Sequence, residues 1–156
     1  MIVSLRRILL PTDFSNPAKE AQRYACALAE KFDAQLHALH VVHDPFHAVP
    51  ASRVSWAVPE HDDLQQHVQS AQQHLLRELG EEWTERRQAV CSVKLGLPTE
   101  EILNYARQHE IDLIVIGTHG RRSLSHLLLG SVSEKLVRLA TCPVLTVHPK
   151  GHQFVM

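Results

Sequence analysis

The chain is short of the features that would commit it to a specialised class. It has three cysteines in 156 residues, Cys26, Cys91 and Cys142, an odd number with no CxxC pair. That argues against a disulfide framework and suits a reducing compartment, so a cytoplasmic setting is expected. Neither sign of charge is in surplus: 16 Lys and Arg stand against 17 Asp and Glu, a formal net charge of -1. No basic excess exists to grip a phosphate backbone, and nucleic acid is not an expected partner. Long hydrophobic runs are also missing. The longest, such as IDLIVIG, fall far short of the ~20 residues that cross a bilayer, so no membrane partner is expected. The opening MIVSLRRILLPTDFS does not read as a signal peptide, because no apolar stretch is followed by a small-residue cleavage site. Glycine is scarce as well, at six residues, yet three of the six fall in GTHGRRSLSHLLLGS, residues 117–131.

What is present suits one globular domain over residues 1–156, with 44% hydrophobic residues to form a core. RRILLPTD reads as a short buried strand that stops at Pro11 and Asp13. SNPAKEAQRYACALAEKF follows as an amphipathic helix. Ser15 is its cap, Pro17 sits in its first turn, and Ala21, Tyr24, Ala25, Leu28, Ala29 and Phe32 recur at helical spacing. AQLHALHVV is a second strand, and the three prolines of HDPFHAVPASRVSWAVP argue against a regular element there. A polar helix is expected from Glu60 to about Arg87, with Leu64, Val68, Ala71, Leu75, Leu76 and Leu79 on one face and Gly80 leaving its end open. QAVCSVKLG is a third strand. The next helix is expected to use Thr99 as its cap, with Glu100 and Glu101 in the first turn and Ile102, Leu103 and Ala106 buried. IDLIVIG is the clearest buried strand, SVSEKLVRLA a last helix with Val132, Leu136, Val137 and Ala140 on one side, and VLTVH a last strand. The β-α alternation predicts an α/β fold, a five-stranded parallel sheet with helices on both faces.

In such a sheet ligands bind beyond the carboxyl ends of the strands, where strand order reverses. Two loops are placed for that role. PTDFS carries Thr12 and Asp13 after the first strand, and the glycine stretch follows the fourth. Gly117 and Gly120 would let a ligand approach the backbone with no Cβ in the way. SVSE fits a capping box in which Ser131 caps and Glu134 reaches back, so a helix should start there. Its free amides, with the hydroxyls of Ser131 and Ser133 and with Arg121 opposite, would make an anion site suited to phosphate.

The spacing Gly117-x2-Gly120-x9-Gly130-Ser131 is neither a Walker loop nor the dinucleotide GxGxxG. It resembles the signature G-x2-G-x9-G-[ST] of the nucleotide-binding branch of the universal stress proteins. ILLPTDFS, ALHVV, IDLIVIGTHGRR, LLLGSVSEKLVRLATCPVLTV and the lone GLP extend the resemblance over nearly the whole chain. The resemblance implies a Rossmann-like sheet in order 3-2-1-4-5, with ATP held across the ends of strands one and four. Pro11, Thr12 and Asp13 would then line the adenosine, and the Val41 backbone would meet the adenine edge. Gly117, Thr118, His119, Gly120 and Arg121 would carry the ribose and first phosphates, and Gly130, Ser131, Val132 and Ser133 the distal ones. Magnesium or manganese would accompany the phosphates, and ADP or AMP could replace ATP. A homodimer through the last strand is implied as well.

Blander readings stand beside these. The glycine loop could be a tight β-α connection that holds nothing, Asp13 a helix-capping residue and Arg122 a solvated charge. His119 is read as a loop histidine, because no activated nucleophile accompanies it, and no catalytic residue is assigned. His37 and His40 are three apart on a strand and point to opposite faces, so they cannot share a metal ion. The functional expectation is a nucleotide-responsive dimeric stress or regulatory module. A slow ATP-hydrolysing enzyme and a ligand-free interaction protein are the alternatives.

Overall fold

A computed structural model describes residues 4–44, 61–118 and 129–148. Five strands form one parallel sheet: β1 (Arg7–Pro11), β2 (Gln35–His43), β3 (Val90–Gly96), β4 (Leu113–Gly117) and β5 (Val144–Val147), in the order β3-β2-β1-β4-β5. The helices between them are α1 (Asn16–Phe32), α2 (His61–Leu79), α3 (Glu81–Arg87), α4 (Pro98–Gln108) and α5 (Ser131–Leu139). The fold class and strand order are those expected.

Alternation along β1 sorts the core into two layers. Ile8 and Leu10, with Leu36, Ala38, Val115 and Val147, face the alanine stripe Ala21, Ala25 and Ala29 of α1 and Leu75 and Leu79 of α2. Small residues on that stripe let the helix axis lie close to the sheet. Leu9, Leu39, Ile114 and Ile116 face Ile102, Tyr105 and Ala106 of α4 and Leu136 of α5. The isolated acid of the fourth strand segment, Asp112, closes the amino end of the sheet. Its carboxylate accepts the amides of Arg6 and Arg7 at 2.7 and 2.9 Å.

Local expectations hold unevenly. Ser15 caps α1, its hydroxyl accepting the Ala18 amide. The single helix expected from Glu60 to Arg87 is two, because Gly80 takes φ +84 between α2 and α3. Thr99 is not a cap: α4 begins at Pro98 with Leu97 before it, because the fixed φ of proline suits the first helical position. Ser131 is not a cap either. Gly130 occupies that place, and Ser131 is the first residue of α5. Glu134 gives its amide to the Gly130 carbonyl, while its carboxylate turns forward to Arg138 at 3.8 Å. Phe32 and Val137, expected on buried faces, are 47% and 51% exposed. Phe32 lies in the last turn of α1, past the alanine stripe, and Ser133 takes the inward position on α5 that Val137 does not.

Candidate functional site

Strand order reverses at β1, which lies between β2 and β4. β1 and β4 pair at Ile8–Leu113 and Leu9–Ile114. Beyond that, β1 goes on pairing with β2 as far as Pro11–Leu39, and β4 with β5 as far as Gly117–Val147. The two central strands therefore carry their loops out side by side at the switch point, where doubly wound sheets hold ligands.

The β4 side is built from three hydrogen bonds. The Thr118 amide donates to the Val147 carbonyl at 2.9 Å, which continues the sheet past Gly117. The Gly130 amide donates to the Thr118 carbonyl at 2.6 Å, which brings the start of α5 against the end of β4 across the intervening segment. The buried Ser133 hydroxyl donates to the Gly117 carbonyl at 2.7 Å. Gly117, Thr118, Gly130, Ser131, Val132 and Ser133 are thereby brought together. No side chain among the described residues caps α5, so its first-turn amides and positive dipole end are not consumed by a capping side chain. His119, Gly120 and Arg121 lie outside the described residues, as does most of the segment from Asp44 to Pro59.

Two of these residues also have a packing or hydrogen-bonding role within the protein. A Cβ on Gly117 would lie 2.7 Å from the Pro17 carbonyl oxygen and 2.8 Å from its carbon. The missing side chain makes room for the first turn of α1. Ser133 has a single hydroxyl hydrogen, and it is already given to Gly117.

The β1 side is a tight loop. The Thr12 amide donates to the Leu39 carbonyl, the Phe14 amide to the Thr12 hydroxyl at 3.1 Å, and the Ser15 amide to the Asp13 carboxylate at 3.0 Å. These bonds hold Thr12 and Asp13 at the head of the strand. Val41 pairs with Lys94 of β3 and lies two residues past Leu39, the partner of Pro11.

Sequence reasoning missed the ring packing behind this loop. Phe14 has φ +63, the left-handed region, where a bulky residue is a genuine outlier. Its ring stacks with His40 of β2, centroid distance 4.4 Å, and with His74 of α2, 4.1 Å and nearly parallel at 3°. His40 Nδ1 donates to the Thr12 carbonyl at 2.8 Å. The only trace of this in the sequence is an aromatic in an otherwise polar turn.

His37 points the other way, as its parity requires. It is buried, with Nδ1 3.0 Å from the Tyr105 hydroxyl and Nε2 3.3 Å from Gln35 Oε1. Burial first, then His109 and Arg7, push its pKa down to about 4. All three thiols are raised, chiefly by burial, Cys26 to about 12. None is a thiolate at neutral pH, which suits structural cysteines. Among the described residues no group of three or more His, Cys, Asp or Glu is arranged to hold a metal ion. No helix among them is long and apolar enough to cross a membrane.

A recess of about 340 Å³ lies at the amino end of the sheet, lined by Asp33, Gln35, Arg86 and Arg87. Arg87 there donates to the Ala29 carbonyl and to Asp33, serving the carboxyl end of α1. Two helix carboxyl ends and two acids, Glu30 and Asp33, face these two arginines, a poor field for an anion.

The fold and the paired loops define a doubly wound α/β protein with its candidate site at the switch point. Residues 4–148 match the family model described as "Universal stress protein family", and the chain belongs to that family. It is 36% identical to the universal stress protein MJ0531 of Methanocaldococcus jannaschii, over 91% of this chain and 81% of the relative. It is 34% identical to the universal stress protein YxiE of Bacillus subtilis, over 90% and 97%. The structure of universal stress protein UspA from Lactobacillus plantarum aligns with a TM-score of 0.71 at 27% identity, covering 93% of this chain and 99% of that one.

Proposed function

We propose that this chain is a nucleotide-responsive regulatory module that binds an adenine nucleotide, ATP in the first place, across the carboxyl ends of β1 and β4. The observation that carries the reading is the Gly130–Thr118 hydrogen bond. It sets the start of α5, which no described side chain caps, at the end of β4, so backbone amides and a helix dipole meet at the switch point. Phosphates would lie against Gly130, Ser131 and Val132, with Gly120 and Arg121 approaching from the loop before them. Ser133 would contribute through its backbone. Adenosine would lie against Pro11, Thr12, Asp13 and the Val41 backbone. Magnesium or manganese would arrive with the phosphates. Solved relatives include a universal stress protein in complex with cAMP and one from Archaeoglobus fulgidus in complex with dAMP. At 20% and 19% identity these share the fold, and their ligands are properties of those proteins.

A homodimer through β5 is part of the proposal. β5 is an edge strand, and edges of this kind are usually covered or paired. Leu145 on it and Leu139 on α5 are 36% and 58% exposed. Any hydrolysis would be incidental in this reading. A cytoplasmic setting belongs to the same proposal.

Calorimetric titration with ATP, ADP and AMP tests the reading, repeated with Gly120→Val and Ser131→Ala. Binding that weakens in the variants, with turnover below about one per minute, is the expected result, because enzymes typically run at about 1 to 10³ per second. Fast turnover would favour an ATP-hydrolysing enzyme. Absence of binding in the wild type would leave a ligand-free interaction protein.

A further inference from the structure

We propose that Phe14 is a positioning residue for the Thr12–Asp13 loop, held in its left-handed conformation by its stacking with His40 and His74, so that α2 helps to set the nucleotide affinity of a loop formed by other elements. The proposal rests on the adenine-nucleotide reading above.

Three independent observations converge on it. The first is conformational. A phenylalanine at φ +63 is unfavourable for an L-residue and persists only where its surroundings over-determine it. Glycine or asparagine would fit this turn with less strain, so the ring must be needed for its contacts. The second is the ring packing. Phe14 stacks with His40 and with His74, and stacked aromatic pairs are attractive beyond their buried area. The third is the link to the loop backbone. His40 holds the Thr12 carbonyl, and the Thr12 hydroxyl accepts the Phe14 amide. The stack and the loop therefore share their anchors, and a shift of the Phe14 ring moves the backbone that carries Thr12 and Asp13.

His74 is itself fixed. Its Nε2 lies 3.3 Å from Glu78 Oε1, which also pairs with Lys19 of α1 at 3.3 Å. Gln22 of α1 donates to the Glu78 carbonyl at 2.7 Å. The position of α2 against α1 is thus passed through His74 to Phe14. His74 belongs to neither candidate loop and is partly exposed, so its replacement removes one ring of the stack without opening the core.

The test compares wild type, His74→Ala and His74→Phe by calorimetric titration with ATP, together with hydrogen exchange at the Phe14 and Ser15 amides. His74→Ala is expected to weaken ATP binding roughly five- to tenfold and to speed exchange at both amides. His74→Phe keeps a flat ring but loses the Glu78 contact, and it is expected to restore both readouts to within about threefold of wild type. If His74→Ala fails to fold, Phe14→Leu, which keeps apolar volume but not a stacking ring, is read against Phe14→Tyr in the same way. Unchanged affinity in the ring-deleting variants, with the wild type binding ATP, overturns the positioning role and leaves the nucleotide reading intact. Equal losses in His74→Ala and His74→Phe also overturn it, because the Glu78 contact would then be the cause. A wild type that binds no adenine nucleotide overturns both.

Discussion

The hydroxyl of Ser133 donates to the carbonyl of Gly117 at 2.7 Å, in a buried contact that fastens the first turn of α5 to the end of β4. Ser133 therefore acts on the site by holding α5 in place, and its side chain has no hydrogen left to offer a phosphate. Ser133→Ala is expected to lose about 1–2 kcal/mol of stability in urea denaturation, because a buried carbonyl loses its partner. Nucleotide affinity should fall with it, and Ser133→Thr should recover most of both. An alanine variant as stable as wild type would contradict the role.

Gly117→Ala separates packing from ligand space. With the Pro17 carbonyl 2.7 Å from the new methyl, either α1 or β4 must shift. A stability loss of about 1–3 kcal/mol is expected in protein free of nucleotide, within the range for overpacked sites. Unchanged stability with impaired binding would return Gly117 to the role of a ligand-facing residue.

His37 links stability to pH. The tautomer that fits its partners has the Tyr105 hydroxyl donating to Nδ1 and Nε2–H donating to Gln35. The folded pKa of about 4 lies below the ordinary histidine value of 6.5, so between these values the unfolded chain binds more protons. The contribution is fully present above pH 6.5, declines as pH falls through that window, and is gone below about 4. It should amount to roughly 1–3 kcal/mol. Denaturation midpoints measured from pH 7.5 to 4 should fall more steeply for wild type than for His37→Leu. Parallel curves would count against this assignment.

Asp112→Ala should loosen the amino end of the sheet. The carboxylate accepts two backbone amides at 2.7 and 2.9 Å, charge-assisted bonds that no neighbour in the sheet replaces in kind. A loss of about 2–3 kcal/mol in chemical denaturation is expected, with ATP affinity little changed because the proposed site lies at the other end of the strands. A marked loss of affinity at unchanged stability would be the contrary result.

Leu145→Lys tests the proposed dimer. The charge would sit on the exposed edge strand and oppose its own copy across a two-fold axis. Sedimentation velocity should show a dimer for wild type and a monomer for the variant. A wild-type monomer at micromolar concentration would remove dimerisation from the proposal.

Much of the fold was legible because its signals are local and periodic. Continuous apolar runs bounded by proline, aspartate or glycine marked the strands, and the alanine spacing marked α1. Caps were less legible. Ser15 announces itself, but at Thr99 and Ser131 the residue with the better capping chemistry is not the one whose backbone leaves the helix. The Gly117–Ser133 pairing was not legible: Gly117 opens the spaced motif and Ser133 lies two residues past its end, and nothing in a linear sequence says which hydroxyl turns inward. The Phe14 stack joins three elements far apart in the chain, and no spacing rule anticipates it.

By itself the sequence determined the α/β alternation, the strand order through its family resemblance, and the two loops that meet at the switch point. The alternation and the loops follow from hydrophobic periodicity and motif spacing, which are properties of neighbours along the chain. Only the tertiary structure decided what each residue does there. Gly117 yields space to Pro17, Ser133 spends its hydrogen on a carbonyl, and His37 and His40 serve opposite faces. Close packing and the single direction of each hydrogen bond make those choices, and both depend on which distant residues the fold brings into contact.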